Sequence, residues 1–168
     1  DGMALIREYP NLVVFRTFSK MYALAGLRIG YLAGDRSVVD VVRRTCVAYS
    51  VNGLAQEAAL AALDDREHVL KTRAMVRRAR AFVGREMALL GLETVSGEGN
   101  YLMIRLPFSD SLAYRKLMRC GVMVRTMTAF RFPNWIRVTL GQPEAMQRLV
   151  EALAEILDEK RDTPAGAA

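Results

Sequence analysis

The sequence is poor in the residues that most often build metal centres and nucleophilic triads. It has one histidine, His68, and two cysteines, Cys46 and Cys120, in 168 residues. The cysteines stand far apart in the chain and match no metal-ligand spacing, so a zinc site has almost no material. A Ser-His-Asp arrangement would have to be built on His68 alone. Two cysteines without a pairing pattern suit a reducing compartment such as the cytoplasm better than a stapled secreted domain. No apolar run approaches the roughly 20 residues of a membrane span, and no signal-peptide pattern opens the chain. Runs of one charge sign are also missing. The formal charge is +6, from 24 Lys and Arg against 18 Asp and Glu, yet no five like charges follow one another. A basic balance can signal nucleic acid or a membrane surface. Here the arginines are spread over helices among acids, and the basic face of 66–90 carries no interleaved aromatics for base stacking. Neither a nucleic-acid nor a membrane partner is expected.

What is present is a chain about half apolar, enough for a folded core, organised around residues 12–31. Leu12-Val13-Val14-Phe15 is a short β-branched apolar run and reads as a buried strand. Leu27 to Ala33 reads as a second strand, ended by Gly34-Asp35. A parallel crossover needs a dozen or more residues, and fewer than that separate these runs, so the pair is expected to be antiparallel. Lys20, leaving the first strand, and Arg28, starting the second, then lie at the same end of the pair, with the hydroxyls of Thr17 and Ser19 at the same edge. Arginine offers a planar fork that matches phosphate, whereas lysine is a compact amine that can become a nucleophile. Gly26 is expected to let the loop turn and approach a ligand. On residues alone, an anion site and a plain hairpin with surface charges stand equally open.

The run from Arg16 through Tyr31 resembles the cofactor-lysine segment of the class I/II aminotransferases that use pyridoxal phosphate. It is most similar to their histidinol-phosphate aminotransferase branch, whose pattern is R-T-x-S-K-x-[FY]-x-L-A-G-x-R-x-G-[YF]. The resemblance implies that Lys20 is the covalent cofactor lysine and that Thr17, Ser19 and Arg28 hold the cofactor phosphate. It covers essentially the whole chain but only the C-terminal half of a family member, and the chain opens on Asp1 rather than methionine, so a fragment is expected. The implied fold is α/β. Residues 1–73 would be the C-terminal part of the large cofactor-binding domain, with an antiparallel strand after the lysine. Residues 74–168 would be a small α+β C-terminal domain.

The remaining elements read in order. Asp1 to Glu8 is the end of a helix, with Ala4, Leu5 and Ile6 inward, broken by Tyr9-Pro10-Asn11. Asp35 caps a helix to about Tyr49, with Val38, Val39, Val42 and Cys46 as its buried stripe. After the turn 50–53, Leu54, Ala55, Ala58, Ala59, Ala62 and Leu63 mark a small-residue helix. A long helix from Arg66 to Leu90 carries Val69, Val76, Ala79, Val83, Met87 and Leu90 as its apolar stripe, while Lys71, Arg73, Arg77, Arg78, Arg80 and Arg85 form a solvated face. Strands are expected over 92–95 and 101–106, around the turn 96–100. A helix capped by Ser109 or Asp110 carries Leu112, Tyr114 and Leu117 inward and stops at Gly121. Strands over 122–125 and 135–140 precede a final helix opened by Pro143, with Met146, Leu149, Val150, Leu153, Ile156 and Leu157 inward. Residues 163–168 are expected to fray.

Arg137 alternates with Ile136 and Val138, so it points away from the core if they face it, and on the residues alone an ordinary exposed strand arginine is the better reading. By the resemblance, Arg137-Val138-Thr139-Leu140-Gly141 matches the family's R-[IV]-[ST]-[IVL]-G, whose arginine binds the substrate α-carboxylate. The usual Thr-x-Glu-Glu continuation is replaced by Gln142-Pro143-Glu144-Ala145. Asn100, a normal turn residue, matches a substrate-side asparagine, and Arg125 matches a position that binds the phosphate of histidinol phosphate. The resemblance thus implies transamination between histidinol phosphate and 2-oxoglutarate, in a cytoplasmic homodimer acting on small molecules in histidine biosynthesis. The family's pyridine-nitrogen carboxylate, ring-stacking aromatic and glycine-rich phosphate loop lie upstream of the matched region, so this chain alone is expected to be inactive. An aromatic amino-acid aminotransferase or a threonine-phosphate decarboxylase of the same fold is the alternative. A basic binding module with an incidental lysine is the reading from another class.

Overall fold

The structure, a computed structural model, describes residues 2–162, the side chains of 160–162 excepted. The expected fraying at 163–168 lies outside the described residues. The chain divides into two compact units, Asp1–Thr72 and Arg73–Ala168.

In the first unit the short helix α1 (Gly2–Leu5) precedes β1 (Val13–Thr17) and β2 (Gly30–Gly34), which pair antiparallel with Val13 opposite Gly34 and Thr17 opposite Gly30. Helix α2 (Arg36–Thr45) packs on β2 and starts at Asp35, whose carboxylate accepts the Ser37 N–H at 2.9 Å. Helix α3 (Gly53–Asp64) starts at Asn52, whose side chain accepts the Ala55 N–H at 2.9 Å. The first turns of α4 (Arg66–Leu89) close the unit, with the Asp65 carboxylate accepting the His68 N–H at 2.9 Å. Such caps satisfy backbone donors that a helix start leaves without intrahelical partners.

Burial here is sparser than the apolar stripes suggested. The buried apolar residues among 2–72 are Val14, Phe18, Ala55 and Ala59. Helix α2 buries none of its residues and Cys46 is exposed. Ala4, Leu5, Leu54 and Leu63 are exposed as well. Helix α2 packs on β2, and a two-stranded sheet offers it only a narrow apolar face, so its stripe of Val38, Val39 and Val42 remains half covered. The second strand also starts later than expected. Ala25–Leu27 form a single 3-10 turn, and the ladder begins only at Gly30.

The second unit is a two-layer α/β sandwich. Strands β3 (Thr94–Ser96), β4 (Tyr101–Arg105), β5 (Arg125–Thr126) and β6 (Trp135–Thr139) form an antiparallel sheet in the order β3-β4-β6-β5. Alternation puts Leu102, Ile104, Ile136 and Val138 on one face, where they pack with Val83 and Met87 of α4, Ala113 and Leu117 of α5 (Asp110–Arg119), and Leu149, Leu153 and Ile156 of α6 (Pro143–Asp162). All six apolar positions expected on α6 are buried. Helices α4 and α5 end at Gly91 and Gly121, both with φ near +70° (73° and 72°). The next N–H closes each helix: Leu92 to the Met87 carbonyl at 2.8 Å, and Val122 to the Leu117 carbonyl at 2.9 Å.

That closure explains a correction. The strand expected over 122–125 pairs only at Arg125–Thr126, because Val122 is committed to ending α5 and Val124 turns into the core. The 92–95 strand is displaced to Thr94–Ser96. Arg80 leaves the solvated face of α4: it is half-buried and its Nη2 donates to the Gly99 carbonyl at 2.5 Å.

Candidate active site

Each unit carries one cluster of chemically capable residues. In the first it is the end of the β1–β2 hairpin, residues 17–30. Phe18 anchors it, only 4% exposed, with its ring 4.9 Å from Tyr22 and 6.1 Å from Tyr31. The Phe18 N–H donates to the Ile29 carbonyl at 3.2 Å and the Phe18 carbonyl accepts the Leu24 N–H at 3.0 Å. Between these ties lies a turn, with the Ala23 N–H on the Lys20 carbonyl at 3.0 Å. Lys20 is exposed at its start and, among the described residues, its amine has no hydrogen bond or ion pair.

Around it stand the other three residues that the sequence placed at this end. Thr17 Oγ1 accepts the Ser19 N–H at 3.0 Å, which leaves the Thr17 hydroxyl proton and the Ser19 hydroxyl available. Arg28 is not the first strand residue; it ends the 3-10 turn in the left-handed region, φ 52°, with Nη1 donating to the Ala25 carbonyl at 2.8 Å. Four of its five donors remain. Thr17 pairs with Gly30, so Lys20 and Arg28 both lie beyond the last rung of the ladder.

The glycine that matters here is not Gly26. Its φ is not positive and nothing lies within 4 Å of where a Cβ would sit. The left-handed positions are taken by Ala23 (φ 58°) and Arg28, which non-glycine residues adopt only at a cost of about 1–3 kcal/mol and mostly at functional sites. Gly30 is the obligatory one, since a Cβ there would lie 2.6 Å from the Arg16 carbonyl oxygen. Sequence reasoning also passed over His68. Its Nε2 lies 2.9 Å from the carbonyl oxygen of Met21, the residue after the lysine.

In the second unit the cluster lies on the open face of the sheet. Arg125 and Arg137 are direct cross-strand partners. With Tyr114, Met123, Val124, Thr126 and Thr139 they line an open cavity of about 520 Å³. Arg137 is half-buried with its guanidinium 5.2 Å from the Tyr101 ring centre, and Arg125 lies 5.7 Å from the Phe130 ring centre. Among the described residues neither has an acidic partner. Like charges directly opposite on a sheet destabilise it, so the rung sets two unneutralised guanidiniums side by side. Asn100 does not line this cavity; its carbonyl accepts the Leu140 N–H at 2.8 Å, tying the start of β4 to the end of β6.

Asp110, the one buried charged residue among those described, supports this cluster from beneath at 1% exposure. Its Oδ2 accepts the Met127 and Thr128 N–H groups at 2.8 and 2.9 Å, and its Oδ1 accepts the Thr128 hydroxyl at 2.7 Å. Burial pushes this carboxyl up, but the hydrogen bonds from Thr128 and Met127 outweigh it and hold it below the ordinary aspartate value. The Thr128–Phe130 turn that Asp110 pins is the one that carries the ring beneath Arg125. In the sequence Asp110 read only as a possible helix cap, and Ser109 takes that role, its Oγ accepting the Leu112 N–H at 3.3 Å.

Among the described residues no helix is long and apolar enough to cross a membrane, and no group of three or more His, Cys, Asp or Glu could hold a metal ion. The family model for aminotransferase class I and II matches residues 2–153. A histidinol-phosphate aminotransferase of Symbiobacterium thermophilum is 42% identical over 95% of this chain and 44% of its own length. The structure of histidinol-phosphate aminotransferase from Sinorhizobium meliloti in complex with pyridoxal 5'-phosphate superposes with a TM-score of 0.78 at 26% identity, over 90% of this chain and 42% of that one. L-threonine-O-3-phosphate decarboxylase from Porphyromonas gingivalis superposes with a TM-score of 0.80 at 26% identity, over 92% of this chain and 49% of that one. The chain thus spans less than half the length of these similar proteins.

Proposed function

Because this chain belongs to the aminotransferase class I and II family, we propose that it is part of a pyridoxal-phosphate enzyme that transfers an amino group between histidinol phosphate and 2-oxoglutarate. The observation that carries the substrate reading is the Arg125–Arg137 rung, two guanidiniums on one open sheet face without acidic partners among the described residues. A substrate phosphate would be met at Arg125, and the α-carboxylates of 2-oxoglutarate and glutamate at the Arg137 fork. Both named relatives, the histidinol-phosphate enzyme and the threonine-phosphate decarboxylase, act on phosphorylated amines by their names. Arg125 is accordingly read as the phosphate contact, Arg137 as the contact for the α-carboxylate of the amino acid, and Asn100 as a support for the strand ends beside them.

The hairpin end has the chemistry to hold the cofactor. One free amine, one guanidinium and two hydroxyls at a single strand end suit an aldehyde that carries a phosphate: Lys20 takes the aldehyde, and Arg28, Thr17 and Ser19 the phosphate. Pyridoxal phosphate, when bound, supplies the electron sink that makes a substrate C–H acidic. Once the substrate amine had taken its place on the aldehyde, the freed Lys20 Nζ would accept that proton and return it, a role that a nearby neutral amine can fill and a guanidinium cannot. Arg137 fixes the plane of the bound carboxylate by its two parallel donors. The stacked Tyr101 and Phe130 rings limit the rotamers of both arginines, so less freedom is lost on binding. Two free cysteines, Cys46 and Cys120, suit a reducing cytoplasm, and a homodimer belongs to this same reading through the family resemblance.

The test is Arg125→Ala in the protein as expressed from its own gene. Losing one charge-assisted bond of about 1.5–3 kcal/mol should raise KM for histidinol phosphate roughly tenfold to a hundredfold, with KM for 2-oxoglutarate changed far less. Equal losses for both substrates would contradict the assignment.

A further inference from the structure

The turn that presents Lys20 is held mostly by itself. Its internal bonds run from Ala23 to Lys20 and from Leu24 to Phe18, and among the described residues the aromatic contacts around it are those of Phe18 with Tyr22 and Tyr31. Among the described residues, one hydrogen bond ties residues 20–23 to an element outside the hairpin. It joins the Met21 carbonyl to His68 Nε2 at 2.9 Å, across 47 residues of sequence. From this geometry we infer that His68 is the positioning residue for the Lys20 turn, fixing the backbone from which the amine projects. The inference rests on the reading of Lys20 as the cofactor lysine and names a part of that machinery which the motif does not contain.

A carbonyl oxygen only accepts, so the His68 Nε2 must carry a hydrogen and donate to Met21. The ring is therefore held in the Nε2–H form, with the Thr72 hydroxyl alongside at 3.4 Å. The base of the ring is fixed too, because the His68 N–H is bound to the Asp65 carboxylate at 2.9 Å in the first turn of α4. His68 and Met21 are both half-buried. The turn it steadies carries backbone strain at Ala23, φ 58°. A segment in an unfavourable conformation persists only where its surroundings hold it there, and a single tether from a helix N-terminus is such a hold. Among the described residues the Lys20 amine has no partner, so the tether acts on the main chain and leaves the amine uncommitted.

Two substitutions separate the tether from the ring. His68→Phe keeps a ring of similar volume and removes the donor. His68→Gln places an amide N–H close to where Nε2 lay. Amide hydrogen exchange of the peptide covering residues 18–24 reads the turn without any cofactor. His68→Phe should accelerate exchange there by about tenfold, what one neutral hydrogen bond is worth, with the rest of the first unit unchanged, and His68→Gln should restore most of the protection. In the loaded protein, the yield of covalent adduct on Lys20 after a brief borohydride pulse should fall in the same order, and kcat should fall while both KM values move less than about threefold. Equal exchange in all three proteins, or equal losses in Phe and Gln variants, would overturn the inference. If the wild-type protein forms no adduct on Lys20, the cofactor reading fails instead, while the exchange data still decide whether His68 holds the turn.

Discussion

Replacing Asp110 by alanine should cost the second unit more stability than any other polar substitution among the described residues. The carboxylate is 1% exposed and accepts three hydrogen bonds of 2.7–2.9 Å from Met127 and Thr128. Hydrogen bonds to a charged group contribute about 1.5–3 kcal/mol each, and a donor left buried without a partner costs about 1–3 kcal/mol. Met127 is buried, so its N–H finds no water in the variant, whereas exposed Thr128 can rehydrate both of its donors. That asymmetry brings the expected loss down to about 3 kcal/mol rather than the sum of three charged bonds. Asp110→Asn should lose only about 1 kcal/mol, because the amide oxygen can face the two N–H groups and the amide nitrogen can donate to a rotated Thr128 hydroxyl. Trp135 is the only tryptophan of the chain and lies on β6 in this unit. Its fluorescence in equilibrium urea unfolding therefore reports the relevant transition, and the midpoint should shift without a change of slope. An alanine variant within about 0.5 kcal/mol of wild type, or an asparagine variant as damaged as the alanine one, would refute the reasoning.

The same carboxyl sets a pH dependence. Its folded-state pKa is lowered, so its stabilisation is fully present above the ordinary aspartate value of about 3.9 and is lost as pH falls below it through the folded value; urea midpoints taken from pH 6 downward should show a steeper acid loss in wild type than in Asp110→Asn. Gly30→Ala should open the end of the hairpin, because its Cβ would meet the Arg16 carbonyl at 2.6 Å, whereas Gly26→Ala should leave it unchanged; amide exchange of residues 15–18 distinguishes the two.

The periodic parts of the fold were legible in the sequence. The α6 stripe, the alternation of Ile136 and Val138 around Arg137, and the antiparallel sense of the β1–β2 pair all follow from spacing that backbone geometry enforces. What spacing could not show is where a chain leaves regular structure. Val122 looks like strand sequence but is committed to closing α5, and that competition is invisible until the helix end is placed. The left-handed turns at Ala23 and Arg28 carry no glycine to signal them, while Gly26, which suggested such a turn, does not make one. Of the site, the motif supplied Lys20, Thr17, Ser19 and Arg28, and alternation supplied the outward face of Arg137. The cross-strand meeting of Arg125 with Arg137 depends on the register between β5 and β6, which no local pattern sets, and the roles read for Asp110 and His68 depend on contacts across 17 or more residues. A lone histidine or a helix-start aspartate has no local pattern that marks it.

The central claim is that Lys20 is the covalent attachment point for pyridoxal phosphate. The most direct measurement is borohydride reduction of the cofactor-loaded protein, as expressed from its own gene, followed by proteolysis and peptide mass mapping. The reduced cofactor mass should appear on the peptide containing Lys20, and Lys20→Arg, which keeps the charge without a nucleophilic amine, should abolish it. The mass found on a peptide containing Lys71, Lys116 or Lys160 instead, or on none despite bound cofactor, would contradict the account.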